Sequence, residues 1–304
     1  MLRVLASDGM DKSAVEALEA LGAEVTQQYY EPQELEEQVR QYDVLVVRSA
    51  TKVGRGIIDG AVAGGRLKLI IRGGVGVDNI DVGYAKEQGI QVCNTPKASS
   101  GSVAELAIGH IFSIARYIGI ANVTMREGKW EKKKYQGTEI AGKTIGLVGM
   151  GRIAQETARR AKALGMEVVY TNRTGPRREL EGYEYADLDG LLKKADYVSL
   201  HMPGQKGSPA LVDAGFLGKM KEGAALINTA RGSLVDEQAV LEALEQGKLR
   251  GYGVDVYGEE PCKNQRLLEH PRVSMTPHIG GSTREAQERI GEEIVEHIKR
   301  EFSL

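Results

Sequence analysis

Short apolar runs alternating with amphipathic segments constrain this chain more than anything else in its sequence. Ahead of residue 98, the runs LRVLAS, AEVTQQY, DVLVVRS, LKLIIRG and IQVCN are separated by DKSAVEALEAL, ELEEQVRQY, GRGIIDGAVAG and DVGYAKEQG, which carry helical spacing. Strands that are apolar throughout, rather than at every second position, are buried on both faces, which indicates parallel sheets covered by helices on each side. After Gly142 the alternation restarts with TIGLVG, MEVVYT, DYVSLHM, AALINTA, RGYGVDV and VSMTPH. The chain therefore reads as α/β with two successive doubly wound parallel sheets, and its 304 residues suffice for two cored domains. Between them, Val103, Ala107, Ile111, Ile114 and Ile118 keep a spacing of three to four, which predicts one continuous helix from Ser102 to Glu127. Such a helix, about 39 Å long, is expected to bridge the domains and to form a dimer contact. A last amphipathic helix is expected from Thr283 to Arg300.

Charge and cysteine usage remove several classes of function. With 40 basic and 42 acidic residues the formal net charge is -2, so no global field draws the chain to nucleic acid or to anionic lipid, and neither is an expected partner. An anionic ligand must be met by local charge. Cys93 and Cys262 have no spacing suited to a disulfide framework or a zinc site, so no metal is expected. The N-terminal MLRVLASDGMDK lacks an apolar region of signal-peptide length, and Val103 to Val123 contains Glu105, His110 and Arg116, which argues against a membrane span. The expected location is cytoplasmic.

Gly149-Met150-Gly151-Arg152-Ile153-Ala154 follows an apolar strand and opens a helix, matching the G-x-G-x-x-G/A pattern of a dinucleotide turn. Gly149 permits the turn, Gly151 admits a pyrophosphate to the backbone, Ala154 lets helix and strand pack closely, and the helix N-terminus faces the phosphates. At the end of the next strand, where an acid would bind the ribose hydroxyls of NAD, stand Asn172, Arg173 and Thr174, with Arg177 and Arg178 beyond. Neutral and cationic side chains remove the repulsion of a 2′-phosphate, so the cofactor is NAD(P) with a lean to NADP; NAD stays open, with Asn172 bonded to its ribose.

RGGVGVDNID (72–81), NTPKASSGSVAELAIGHIFSIAR (94–116), GMGRIA, NTARGSLVDE (228–237), GVDVYGEEP (253–261) and TPHIGGST (276–283) resemble, in order and along essentially the whole chain, the signatures of the D-isomer-specific 2-hydroxyacid dehydrogenases. The resemblance implies a flavodoxin-like substrate domain from residues 1–98 and 284–304, with a Rossmann NAD(P)-binding domain, 99–283, inserted between. It implies catalytic roles for Arg231, Glu260 and His278. The chemistry independently suits these types: a histidine exchanges the hydroxyl proton as hydride leaves or joins the same carbon, a carboxylate fixes its ring, and a guanidinium meets the substrate carboxylate. Cofactor contacts are implied at Gly149, Gly151, Arg152 and Ile153, at Asn172, Arg173 and Thr174, and at His201 and Pro203. They continue through Thr229, Ala230 and Arg231, Asp255 beside the nicotinamide, and His278, Gly280 and Gly281. Of the other histidines, His110 is expected to pack, His297 to face water and His270 to lie in a loop.

Gly74, Val75 and Gly76, after a strand of the first domain, can turn N–H groups toward an anion, and the resemblance assigns them to the substrate carboxylate. Arg48 and Ser49 in VVRSATKV resemble the phosphate-holding pair of D-3-phosphoglycerate dehydrogenases, and Lys132 resembles a phosphate contact supplied from the neighbouring subunit of a homodimer. The substrate is thus expected to be a small 2-hydroxy or 2-oxo acid, foremost 3-phosphoglycerate on the route to serine, without a C-terminal regulatory domain. An NADPH-dependent glyoxylate or hydroxypyruvate reductase is the alternative, and a cofactor-sensing binding protein of the same fold is a third reading.

Overall fold

In a computed structural model, which describes residues 1–180, 182–204 and 207–304, with Arg178 described by its backbone alone, the chain divides into two compact units. One comprises Met1–Ser99 with Gly281–Leu304 and the other Ser100–Gly280, against boundaries expected at 98/99 and 283/284.

The first unit carries β1 (Arg3–Ala6), β2 (Glu24–Gln27), β3 (Val44–Val47), β4 (Leu69–Arg72) and β5 (Gln91–Asn94) in the order β2-β1-β3-β4-β5. All pairings are parallel, and this is the doubly wound order with its switch point between β1 and β3. Alternate residues of β3 feed two cores: Leu45 and Val47 pack with Leu35, Ile58 and Ile70, while Val44 and Val46 pack with Leu18, Ile71 and Ile294. The Arg284–Phe302 helix closes the second of these with Ile290, Ile294 and Ile298, a stripe repeating every fourth residue. On the same helix His297, expected in water, is half-buried, with Nε2 3.0 Å from the Asn94 carbonyl.

The second unit carries β6 (Thr144–Val148), β7 (Glu167–Thr171), β8 (Glu184–Tyr185), β9 (Tyr197–Leu200), β10 (Ala224–Asn228), β11 (Leu249–Val254) and β12 (Val273–Met275), in the order β12-β11-β10-β9-β6-β7-β8. Strand order reverses between β6 and β9, and in such open sheets ligands bind beyond the carboxyl ends of the strands at that point. Two-residue β8 has too little periodicity to be read from sequence.

The continuous helix expected from Ser102 to Glu127 is two helices, Ser100–Arg116 and Ile118–Arg126, bent by 65°. Tyr117 between them has φ 57 and stacks on Tyr135, with ring centroids 5.8 Å apart. The Ala115 carbonyl released by the break accepts the Thr138 N–H at 2.9 Å. The segment that compensates the break lies some twenty residues downstream, beyond what helical periodicity can register. The first helix packs within the second unit, against the Arg152–Ala163 helix and strands β10, β11 and β12. Among the described residues, no single helix is long and apolar enough to cross a membrane, and no cluster of side chains is arranged to hold a metal ion.

Candidate active site

Arg231, Glu260 and His278 follow the neighbouring strands β10, β11 and β12, and because parallel strands all end at one edge of a sheet, they leave it on the same side. His278 Nδ1 lies 2.8 Å from Glu260 Oε2, and the other oxygen, Oε1, accepts the Tyr257 N–H at 3.1 Å. The two side chains are 34% and 38% exposed, so the pair is open to a ligand. Burial pushes the Glu260 carboxyl up, but its bonds from His278 and the Tyr257 N–H, with the charges of His278 and Arg231, outweigh this and hold it below the usual carboxylate range. With Nδ1 committed to a carboxylate, Nε2 is the atom left to exchange a proton with a substrate.

Arg231 sits on a turn clamped by the fully buried Asn228, whose amide donates to the Arg231 carbonyl at 2.8 Å and accepts the Ala230 N–H at 3.1 Å. The Arg231 guanidinium donates to the Ala230 carbonyl at 2.6 Å. His278 itself has φ 53, a left-handed conformation that costs a residue with a Cβ about 1 kcal/mol or more and persists only where its surroundings impose it. Asp255, 1% exposed at the end of β11, imposes it: Oδ1 accepts the Thr276 hydroxyl at 2.6 Å and the Ile279 N–H at 2.8 Å, and Oδ2 the Gly280 N–H at 2.8 Å. Asp255, which the resemblance puts beside the nicotinamide, anchors the loop that carries His278.

The glycine turn fits a dinucleotide. Gly149 has φ +94, and a Cβ there would stand 2.5 Å from the His201 carbonyl oxygen, so only glycine passes. A Cβ on Gly151 would meet no protein atom within 4 Å, and Gly151 caps the Arg152–Ala163 helix without any side-chain bond, leaving the first N–H groups available to an anion. Arg152 is exposed, Ile153 half-buried and Ala154 fully buried. Thr229, 7% exposed, keeps a buried hydroxyl oxygen without a hydrogen-bond partner, as a ligand-facing group would; Ala230 beside it is half-buried and Pro203 exposed. His201 bonds Ser199 Oγ at 2.9 Å, and burial pushes it down to about 4.

Around the second-strand end, Arg173 and Thr174 are exposed, while the Asn172 amide donates to the Gly175 carbonyl at 3.0 Å. Arg177 reaches back to the glycine turn, donating to the Met150 carbonyl at 3.2 Å and pairing with Glu179. Arg177, named in the sequence only as lying beyond the strand end, thus touches the turn.

In the first unit, Arg48 and Ser49 follow β3 and Gly74, Val75 and Gly76 follow β4. Neighbouring strands bring the two groups together: Arg48 Cγ lies 3.6 Å from where a Gly73 Cβ would be. Asp8 accepts the Arg48 N–H at 2.6 Å and the Thr51 hydroxyl at 2.6 Å, and Asn79 donates to the Arg48 and Thr51 carbonyls at 2.7 Å, so three residues unassigned in sequence, Asp8, Thr51 and Asn79, shape the Arg48 loop. Gly281 belongs to this unit and Gly280 to the other. Lys132, in the second unit, is exposed in a short turn with Lys133 and Lys134.

The family model described as "D-isomer specific 2-hydroxyacid dehydrogenase, NAD binding domain" matches residues 108–280. The chain is 46% identical to a hydroxypyruvate reductase from Thermotoga maritima, covering 99% of each chain. It is 42% identical to a D-3-phosphoglycerate dehydrogenase from Methanocaldococcus jannaschii, over 99% of this chain but only 57% of that one. Among solved structures, an NADPH-dependent glyoxylate/hydroxypyruvate reductase from Sinorhizobium meliloti, in complex with NADP and malonate, superposes with a TM-score of 0.86 at 30% identity, covering 99% of this chain and 94% of that one.

Proposed function

The chain belongs to the D-isomer-specific 2-hydroxyacid dehydrogenases, NAD(P)-dependent oxidoreductases acting on a CH–OH group, and on that footing we propose that it interconverts a small 2-oxo acid with its 2-hydroxy acid. The observation that carries this is the His278–Glu260 pair at 2.8 Å, standing beyond the strand ends beside Arg231. When bound, the nicotinamide supplies or accepts the hydride at C2. His278 gives the proton from Nε2 to the C2 oxygen in reduction and takes it back in oxidation, while Glu260 holds the ring through Nδ1 and stabilises its charged form. Arg231 offers paired donors to the substrate carboxylate and the C2 oxygen. Gly149, Gly151 and the helix N-terminus at Arg152 would hold the pyrophosphate and Arg173 and Arg177 would offer charge to a 2′-phosphate, so NADP is the cofactor this charge favours.

Two observations bear on the substrate. Similarity along 99% of both chains to a hydroxypyruvate reductase favours the unphosphorylated acid. Arg48, beside the Gly73–Gly76 turn, favours its 3-phosphate ester, and with it phosphoglycerate oxidation. Steady-state kcat/KM for hydroxypyruvate, glyoxylate and 3-phosphohydroxypyruvate, each with NADH and NADPH, tests both. A preference of tenfold or more for the ester, roughly what one charge-assisted bond contributes, selects the phosphoglycerate reading, and equal or lower rates with the ester select the reductase. No turnover of any 2-oxo acid, with cofactor-dependent capture of a protein partner instead, would replace both readings with the cofactor-sensing one.

The protein acts as a cytoplasmic homodimer in this proposal. Its support is the exposed apolar surface of the segment after the helix break, where Ile118, Val123 and Met125 are about half exposed and Trp130 is 79% exposed.

A further inference from the structure

The loop that carries His278 is tied, through Asp255 and Thr276, to a second histidine inside the fold. His110 lies on the Ser100–Arg116 helix, 2% exposed, against β11. Room for it comes from glycine: Gly251 and Gly253 share one face of β11, and a Cβ at Gly253 would stand 2.7 Å from His110 Cβ, as one at Gly251 would stand 2.5 Å from Ile114 Cγ2. Residues 110 and 114, one helical turn apart, are thereby seated directly on the strand that ends in Asp255.

The hydrogen bonds of His110 admit one arrangement of protons. Thr276 Oγ1 donates its only hydrogen to Asp255 Oδ1 at 2.6 Å, so toward His110 Nε2, 3.2 Å away, it can only accept. Nε2 therefore carries the ring proton, and Nδ1, 2.9 Å from Ser274 Oγ, accepts the Ser274 hydroxyl. The ring is neutral with both nitrogens satisfied, in keeping with a burial that pushes it down to about 4 against a small opposing effect of Asp255. A chain of donors runs from Ser274 through His110 and Thr276 to Asp255, whose carboxylate also accepts the Ile279 and Gly280 N–H groups that follow the left-handed residue His278.

We infer that His110 is a positioning residue for His278: by donating to Thr276 it fixes the rotamer that Thr276 offers Asp255, and through Asp255 the backbone turn that aims the His278 ring. This rests on His278 as the proton-transfer group. A histidine that merely fills space would contribute volume, whereas one that positions contributes a donor at one particular atom.

The substitutions His110→Gln and His110→Asn separate the two. A glutamine amide extends to the place of Nε2 and can donate to Thr276; an asparagine amide reaches only the place of Nδ1, beside Ser274. Both lose similar packing, so their melting temperatures should fall together. With whichever 2-oxo acid the wild type turns over, kcat should drop about tenfold or more in His110→Asn and stay within about threefold of wild type in His110→Gln, with cofactor KM unchanged in both. Equal kcat in the two variants, or kcat falling in step with melting temperature, overturns the inference. Hydrogen exchange at the Ile279 and Gly280 amides reads the same anchoring without turnover, so it stands even if His278 proves not to be the proton donor: faster exchange in His110→Asn than in His110→Gln is expected, and equal rates would refute it. Should neither variant fold, the ¹⁵N imidazole spectrum of the wild-type protein decides, with an Nε2–H tautomer required and an Nδ1–H tautomer fatal.

Discussion

Replacing Glu260 isolates what a carboxylate does for His278. In Glu260→Gln the side-chain oxygen can still accept the Nδ1–H, so the ring keeps its orientation and loses only the charge beside it. Two unit charges about 4 Å apart attract by about 1 kcal/mol in bulk water and about 4 kcal/mol at an effective dielectric near 20. With 34% and 38% of the two side chains exposed, solvent screening places this pair toward the lower end. A loss of about 1.5 kcal/mol in stabilising the charged ring corresponds to a rate about tenfold lower. In Glu260→Ala the orientation is lost as well, and a further net hydrogen bond of about 1 kcal/mol brings the total to between about 50- and 100-fold. The assay is single-turnover reduction of the 2-oxo acid with enzyme in excess, which reads the chemical step apart from product release. Cofactor affinity should stay within about twofold of wild type, since an effect under about 0.4 kcal/mol amounts to no more. A Glu260→Gln variant as slow as Glu260→Ala would place the whole effect in charge, and wild-type rates in both would refute the role.

Stability should also depend on pH through a buried imidazole. His110 stays neutral in the folded protein down to about 4, against an ordinary value of 6.5, so between those values the unfolded chain binds more protons and stability falls as pH falls, the contribution of His110 itself levelling off below pH 4. The span amounts to about 3 kcal/mol for His110, with His201 acting in the same window; urea midpoints between pH 7 and 4 should show the decline, and His110→Gln should flatten it. Arg173→Asp should raise the Kd for NADPH by tenfold or more and that for NADH far less, as expected when a 2′-phosphate faces an acid instead of a cation; equal losses would remove Arg173 from the site. Glu179→Gln, which releases Arg177 from its ion pair, should tighten NADPH by about two- to fivefold, and no change by titration calorimetry would mean Arg177 does not meet the phosphate. Met125→Glu with Trp130→Glu should shift the mass measured by light scattering from dimer to monomer, and an unchanged mass would move the contact elsewhere.

Where local pattern determines structure, the sequence was legible. The short runs picked out as strands match eleven of the twelve strands in the described residues, and the spacing GMGRIA located the turn between β6 and its helix. What failed was whatever depends on distant partners. Tyr117 breaks a helix whose apolar spacing runs straight through it, because Tyr135 and Thr138 come from elsewhere to pack and pair there. The pairing of Glu260 with His278 spans 18 residues that hold no common periodicity, and it was approached through resemblance rather than spacing. His110 looked like any apolar-face histidine because its partners, Ser274 and Thr276, are more than 160 positions away. Polar residues at the ends of buried strands, Asn228 and Asp255 among them, were the available signal.

Turnover by His278→Ala, measured with saturating reduced cofactor and the best 2-oxo acid, bears most directly on the proposed chemistry. Removing proton transfer alone should slow the reaction by about 100- to 10,000-fold while cofactor affinity is retained. Turnover at the wild-type rate would contradict the assignment of His278, and with it the catalytic role derived for Glu260 beside it.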